Sequence, residues 1–299
     1  MFGFRDEFDY FECSQCGCLQ ISDIPEDMGR YYPQNYHAAP GRALGSFVTR
    51  FAVTRRDRYA LFAGGLIGKL VSRRHPNASL EAIAKAGVNC ESRILDVGCG
   101  SGGFLCSLKN LGFKNLLGID PYTEREVTGG DMRILRATIH DLSPSQDFDL
   151  ITFNHSFEHI PDQIGTLLKV PLMLSENGVC VIRMPVKTEH IWNRYNTDWV
   201  QIDAPRHFFI HTVKSFSYLS RDAGLTIEDI TFDSTAFQFW GSEQYKRDIP
   251  LRAETSYAVS PGKSIFTAKQ IAQYERMAKE LNKIQQGDQA VFHLKRRAK

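Results

Sequence analysis

The sequence predicts an α/β fold built on a doubly wound parallel sheet, and three observations carry that expectation. Residues 93–105 run from a short apolar strand through four glycines and back into apolar residues at helical spacing. Hydrophobic strands and amphipathic helices then alternate at the spacing of βα units, which implies parallel strands covered by helices. With 299 residues, 42% of them hydrophobic, the chain can bury both faces of such a sheet.

The first element is a hairpin. Residues 8–21 combine alternating apolar positions with a Cys13-x-x-Cys16-Gly17 turn, the knuckle of a zinc ribbon, in which the turn aims two thiolates at one metal. A closed site needs four ligands. Cys18 is a possible third and His37 a distant fourth, and the competing reading is a former metal knuckle that folds as a plain hairpin. Residues 25–40, rich in Pro, Tyr and Asn, read as a connector, so 1–40 form one unit.

Residues 41–90 form a basic helical cap. Between 42 and 75, Arg42, Arg50, Arg55, Arg56, Arg58, Lys69, Arg73 and Arg74 face a single acid, Asp57, while Phe47, Phe51, Leu61, Phe62, Leu66, Ile67 and Leu70 supply an apolar face. One or two amphipathic helices follow from that pattern, either as a cap with a solvated basic face or as a docking surface for anionic substrate or membrane headgroups. Residues 79–87 add a short helix ended by Gly87.

The third unit, 91–299, carries the alternation. Strands are expected at 93–97, 116–120, 137–140, 149–154, 179–184, 225–232 and 289–294. Helices are expected at 102–111, 161–174 with a kink at Pro171, and 212–223. Residues 233–288 are a lid-like insertion, mixing Gln238, Trp240, Glu243 and Tyr245 with an amphipathic helix over 266–283 that most simply packs on the sheet.

The cofactor reading comes from the glycine turn and its neighbours. Gly98, Gly100 and Gly103 satisfy the dinucleotide fingerprint, a weak signal alone. Asp96, however, ends the strand where a dinucleotide site expects an apolar residue, and a carboxylate there suits a sulfonium or ammonium rather than a pyrophosphate. Asp120 ends the second strand, where an acceptor for ribose hydroxyls belongs. Asp141 ends the third, where it can accept from an adenine amino group. Three acids at successive strand ends, with no phosphate partner, favour S-adenosylmethionine.

Residues 94–102, Gly118-Ile119-Asp120, His140-Asp141-Leu142 and 148–160 resemble the motif series of class I S-adenosylmethionine-dependent methyltransferases, over about half of the chain. The resemblance implies a Rossmann-like seven-stranded sheet of order 3-2-1-4-5-7-6 with strand 7 antiparallel. It also implies that Asp96, Gly98, Cys99, Gly100 and Gly102 line the methionine and ribose side, that Asp120 binds the ribose, that Asp141 and Leu142 hold the adenine, and that Asn154 lies at the methionine end. Residues 203–209 with Thr212, 237–245 and the Cys13–Cys16 knuckle are similar to a subgroup associated with bacterial surface-polysaccharide biosynthesis. Members of that subgroup commonly begin with a four-cysteine ribbon, and the first Cys pair is absent here.

Transfer to a sugar hydroxyl needs a general base. His155 and Glu158 lie just after strand 4, beside His159, and His207 lies after the long connector behind strand 5. On that connector Arg206 is a candidate anchor for an anionic group, His211 a second substrate contact, and Trp192, with Tyr195 and Trp199, a stacking surface or simply packing. Residues 155–159 also spell H-x-x-E-H, but a run that stops at Pro161 is too short for the helix of a zinc peptidase. The acceptor is expected to be a small or sugar-linked molecule, either in polysaccharide assembly or another hydroxylated metabolite. A non-catalytic S-adenosylmethionine-binding module is the reading from a different class. A net charge of +2 gives no nucleic-acid signature. No h-region or spanning run is apparent, so a cytoplasmic location with peripheral membrane contact is expected. Seven scattered cysteines suit reduced thiols.

Overall fold

The computed structural model describes residues 3–32, 47–144 and 147–297. Arg42 and His37 therefore lie outside the described residues. The chain opens with β1 (Tyr10–Glu12) and β2 (Leu19–Ile21), a hairpin closed at the knuckle by Gly17 N–H donating to the Cys13 carbonyl at 2.7 Å. Three helices follow: α1 (Phe47–Phe62), α2 (Leu66–Arg74) and α3 (Ala78–Ala82). Gly68 lets α2 fold back tightly on α1, because a Cβ there would lie 2.3 Å from the Arg55 carbonyl oxygen. The lone acid of α1 and α2, Asp57, is buried and accepts from Arg56 and Asn77.

The remaining elements are β3 (Arg93–Val97), α4 (Gly103–Asn110), β4 (Asn115–Ile119), β5 (Met132–Leu135), β6 (Phe148–Asn154), α5 (Gln163–Met173), β7 (Leu174–Pro185), α6 (Glu189–Tyr195), β8 (Phe209–Ile210), α7 (Val213–Asp222), β9 (Leu225–Phe232), α8 (Phe237–Tyr245), α9 (Ala268–Lys283) and β10 (Gln289–Arg296). Seven strands form one mixed sheet in the order β5-β4-β3-β6-β7-β10-β9. Neighbours from β5 to β7 run parallel, and β10 is antiparallel to both β7 and β9. One face packs against α5 and α7 through Leu167, Val170, Met173 and Phe216. The other packs against α1, α3 and α4 through Leu61, Leu80, Leu105 and Leu108. The first helices are thus a layer of the sheet's own sandwich.

A third apolar cluster joins β2, α6, α8 and α9 around Trp199, Phe239 and Leu281. The helix within the insertion packs mainly into this cluster rather than across the sheet face, and Tyr274 stacks on Phe239 at 5.3 Å. A small antiparallel sheet, β1-β2-β8, ties the knuckle hairpin to residues 209–210. Among the described residues no helix is long and apolar enough to cross a membrane.

One strand is misplaced by the sequence reading. Strand 3 is Met132–Leu135 and not 137–140, where a 3-10 turn, Ile139–Asp141, stands instead. β5 is an edge strand in which buried Met132 and Ile134 alternate with Arg133, so its charges masked it. Thr138 and Asp141 then cap the turn reciprocally and end any extension.

Candidate functional site

The turn after β3 needs its glycines. Gly98, Gly100 and Gly102 have φ of 75°, 52° and 78°. A Cβ on Gly98 would lie 2.3 Å from that of Ser156, and one on Gly102 2.3 Å from Ile134 Cδ1. Asp120, just past β4, fastens the turn: its Oδ2 accepts from Gly100 N–H at 2.9 Å and its Oδ1 from Tyr122 N–H at 2.8 Å. Beneath the turn, Asp96 is 3% exposed and accepts from Thr152 Oγ1 at 2.8 Å. Burial, against the bond from Thr152, raises its carboxyl to about 7. Cys99 points away from the turn's open side and packs under Gly118, so its side chain contributes only support.

A cleft of about 410 Å³ opens over this turn. It is lined by Gly98, Gly100 and Asp120, by Thr138, Ile139 and His140 at the far end, and by His155, Ser156 and His159, with Ser156 packed against Gly98. Several expected contacts fall elsewhere. Asp141 is exposed and accepts from both the N–H and the hydroxyl of Thr138, while Leu142 is buried in the core, so the far end is built from 137–140 instead. Asn154 bonds to Ser79 at 2.8 Å and accepts from Arg183 at 3.3 Å, outside the cleft wall.

The histidines separate by burial. His155, at φ 53°, lines the cleft, with Nδ1 3.4 Å from Glu158 Oε1. Glu158 is buried behind it; burial pushes its carboxyl up, but His155, His159 and His207 outweigh that and hold it down at about 2. His159 also lines the cleft and donates from Nδ1 to the Arg206 carbonyl at 2.8 Å. His207 does not reach the cleft. It is buried against the His159 ring, donates from Nδ1 to the Gln201 carbonyl at 2.7 Å, and burial lowers its pKa to about 3.

His211 is a core residue. Its ring nitrogens contact Ser215 Oγ at 2.9 Å and Gln163 Oε1 at 2.8 Å, and burial lowers it to about 4. Arg206 is buried in an ion pair with Asp203 and walls a second cavity of about 260 Å³, with Tyr31 and Tyr245. Tyr32 joins the two spaces: its hydroxyl lies 3.4 Å from His159 Nδ1 and Arg206 sits over its ring. Of the connector aromatics, Trp199 and Tyr195 are buried packing residues, and Trp192 is half-buried beneath Lys187. The cleft role of Tyr32 had no sequence signal, because it depends on a tertiary approach from the connector.

At the knuckle, backbone N–H groups of Cys16 and Gln15 lower the Cys13 thiol. Cys18 turns inward to His211, 3.8 Å away, and burial pushes it up to about 12. Among the described residues no group of three or more potential metal ligands includes Cys13 or Cys16.

Residues 43–230 match the family model described as a methyltransferase domain, well over half of the chain. The chain belongs to that methyltransferase family. No curated protein matches this methyltransferase. Among solved structures it is similar to the methyltransferase chain of the complex with the Haloferax volcanii Trm112 activator, at 18% identity over 81% of this chain and 98% of that one, with a TM-score of 0.51. It is also similar to the Burkholderia thailandensis 1,6-didemethyltoxoflavin-N1-methyltransferase solved with S-adenosylhomocysteine, at 15% identity over 98% and 100% of the two chains, with a TM-score of 0.46. At 18% identity the likeness to the first of these is one of fold alone.

Proposed function

We propose that this methyltransferase uses S-adenosylmethionine and methylates a hydroxyl of a sugar or sugar-linked precursor in surface-polysaccharide assembly. The observation that carries the cofactor is the glycine turn set between two carboxylates, Asp96 below it and Asp120 beside it. Such a cradle fits a cationic methionine and a ribose and repels a pyrophosphate. When bound, the donor supplies a methyl carbon activated by its sulfonium.

The chain's own groups do the rest. Asp120 retains lone pairs for ribose hydroxyls, and Ala137 to His140 enclose the base. Asp96, ionised against the donor's positive charge, favours the methionine end. His155 is the accessible base beside the cleft, and the Glu158 carboxylate, 3.4 Å from its Nδ1, stabilises the imidazolium formed when it takes the acceptor proton. His207 acts from behind, as packing for His159. The cavity beyond Tyr32, walled by Arg206, suits the remainder of a polar acceptor. A hydroxylated metabolite outside polysaccharide assembly would use the same machinery.

Calorimetry with S-adenosylmethionine, S-adenosylhomocysteine and NADH tests the cofactor; binding of NADH alone would overturn it. A radiolabelled-donor screen over nucleotide-sugars and lipid-linked sugars tests the acceptor. His155→Ala is expected to lower turnover by about 10²-fold or more while donor affinity holds. Donor binding without label transfer to any hydroxylated acceptor would instead favour the accessory-module reading.

A further inference from the structure

Behind the cleft wall, Glu158, His159 and His207 converge: one carboxylate oxygen and one ring nitrogen of each histidine lie within 4.8 Å of one another. Among the described residues this is the one such group of three. We propose that it is a binding site for a divalent transition-metal ion, of the zinc type by its ligand chemistry. Two histidines and a carboxylate from one protein, with a fourth position open, form a recurrent zinc ligand set. Bound to zinc at about 2.0–2.2 Å, such ligands lie about 3.3–3.6 Å apart, so the group closes by roughly 1 Å around the ion.

The tautomers are already fixed for this role. A carbonyl oxygen only accepts, so His159 and His207 each carry a proton on Nδ1 for Arg206 and Gln201. In each neutral ring the lone pair is then on Nε2, which in His207 also lies 3.7 Å from Asp203 Oδ2, and a metal-binding histidine is oriented in this way by the partner of its other nitrogen. Glu158 supplies the independent observation. It is 1% exposed, and neither carboxylate oxygen has a hydrogen-bond partner; the nearest polar contact, His155 Nδ1 at 3.4 Å, is not aligned as one. A buried carboxylate in that state calls for a cation. His159 borders the cleft, so the group adjoins the space in which the acceptor is proposed to lie. There the ion would bind an acceptor hydroxyl and acidify it, a role that rests on the proposed O-methylation, whereas the binding itself does not.

The test uses the full chain with Cys13 and Cys16 replaced by Ser, which removes the knuckle as a metal source. After chelation and reloading with zinc, one equivalent should remain through desalting. Reloading with cobalt(II) should give the visible bands of a low-coordinate nitrogen and oxygen site. Both signals should disappear in His159→Ala, whose side chain is only partly buried, and in Glu158→Gln, and should persist in His155→Ala. Circular dichroism reports whether each variant is folded. No retained metal in the folded parent, or metal unaffected by His159→Ala and Glu158→Gln, would overturn the site. Donor calorimetry on the metal-free protein distinguishes that outcome from failure of the methyltransferase reading.

Discussion

Asp96 carries a pH dependence that follows from its burial. An aspartate raised to about 7 in the folded chain, from an ordinary value near 3.8, holds a proton that the unfolded chain has lost at intermediate pH. Stability from this group is therefore present below about pH 4 and declines as pH rises towards 7, beyond which the loss is complete. Asp96→Asn removes that loss and keeps an acceptor for Thr152, so it should stabilise the protein at pH 8, by on the order of 2–4 kcal/mol, and not at pH 4. The same variant should weaken donor binding by about tenfold or more, since the carboxylate lies beneath the turn over which the donor's positive charge is proposed to sit. In the wild type, bound donor lowers the Asp96 pKa, so binding at pH 7 should release about half a proton, read by calorimetry in buffers of different ionisation enthalpy. Equal donor affinity in Asp96→Asn would sink this account. Acids at strand ends are legible in sequence as residue types, not as contacts. Asp120 lies at the turn, whereas Asp141 is taken up by Thr138, a competition that only the local backbone decides. Likewise His207 and His211 read as surface chemistry until long-range packing buries them.

Among the elements, α1 and α2 leave the most unusual surface. Phe51, Phe62, Leu66, Ile67 and Leu70 are exposed, Leu66 at 80%. Arg55, Arg58, Lys69, Arg73 and Arg74 are exposed around them, while Asp57 is buried and paired with Arg56. An apolar hairpin end flanked by cations, with no exposed acid on α1 or α2 themselves, complements an anionic lipid surface, where each basic residue contributes about 1 kcal/mol. We expect co-sedimentation with phosphatidylglycerol vesicles, weakened by salt and by Leu66→Asp with Leu70→Asp, and little with phosphatidylcholine alone. Equal partition onto both vesicles would remove the idea. The hairpin's helices are legible from composition, because apolar and basic residues recur at helical spacing; the close turn at Gly68 is not. β3 and β6 are legible for the opposite reason, being largely apolar, buried runs bounded by turn residues, whereas β5 alternates with arginine and reads as a loop.

At the scale of the whole molecule, the knuckle hairpin is built into the far side of the site. β2 pairs with β8, Thr212 Oγ1 donates to the Cys16 carbonyl at 2.7 Å, and Tyr10 donates to the His207 carbonyl at 2.8 Å. None of these pairings is local, so the sequence could suggest a hairpin without showing that it braces residues 203–212, nearly 200 positions away. The bracing gives the hairpin a function independent of metal at its cysteines, because it holds the segment that carries Arg206 and His207. Tyr10→Phe removes one partly buried hydrogen bond and should cost about 0.5–1.5 kcal/mol of stability. The acceptor KM should rise several-fold as residues 203–207 loosen, while donor affinity, set by the glycine turn across the cleft, stays unchanged. Thermal denaturation measures the first effect and steady-state kinetics with donor calorimetry the second. A parallel loss of donor binding would mean that the hairpin supports the whole cleft and not its acceptor side.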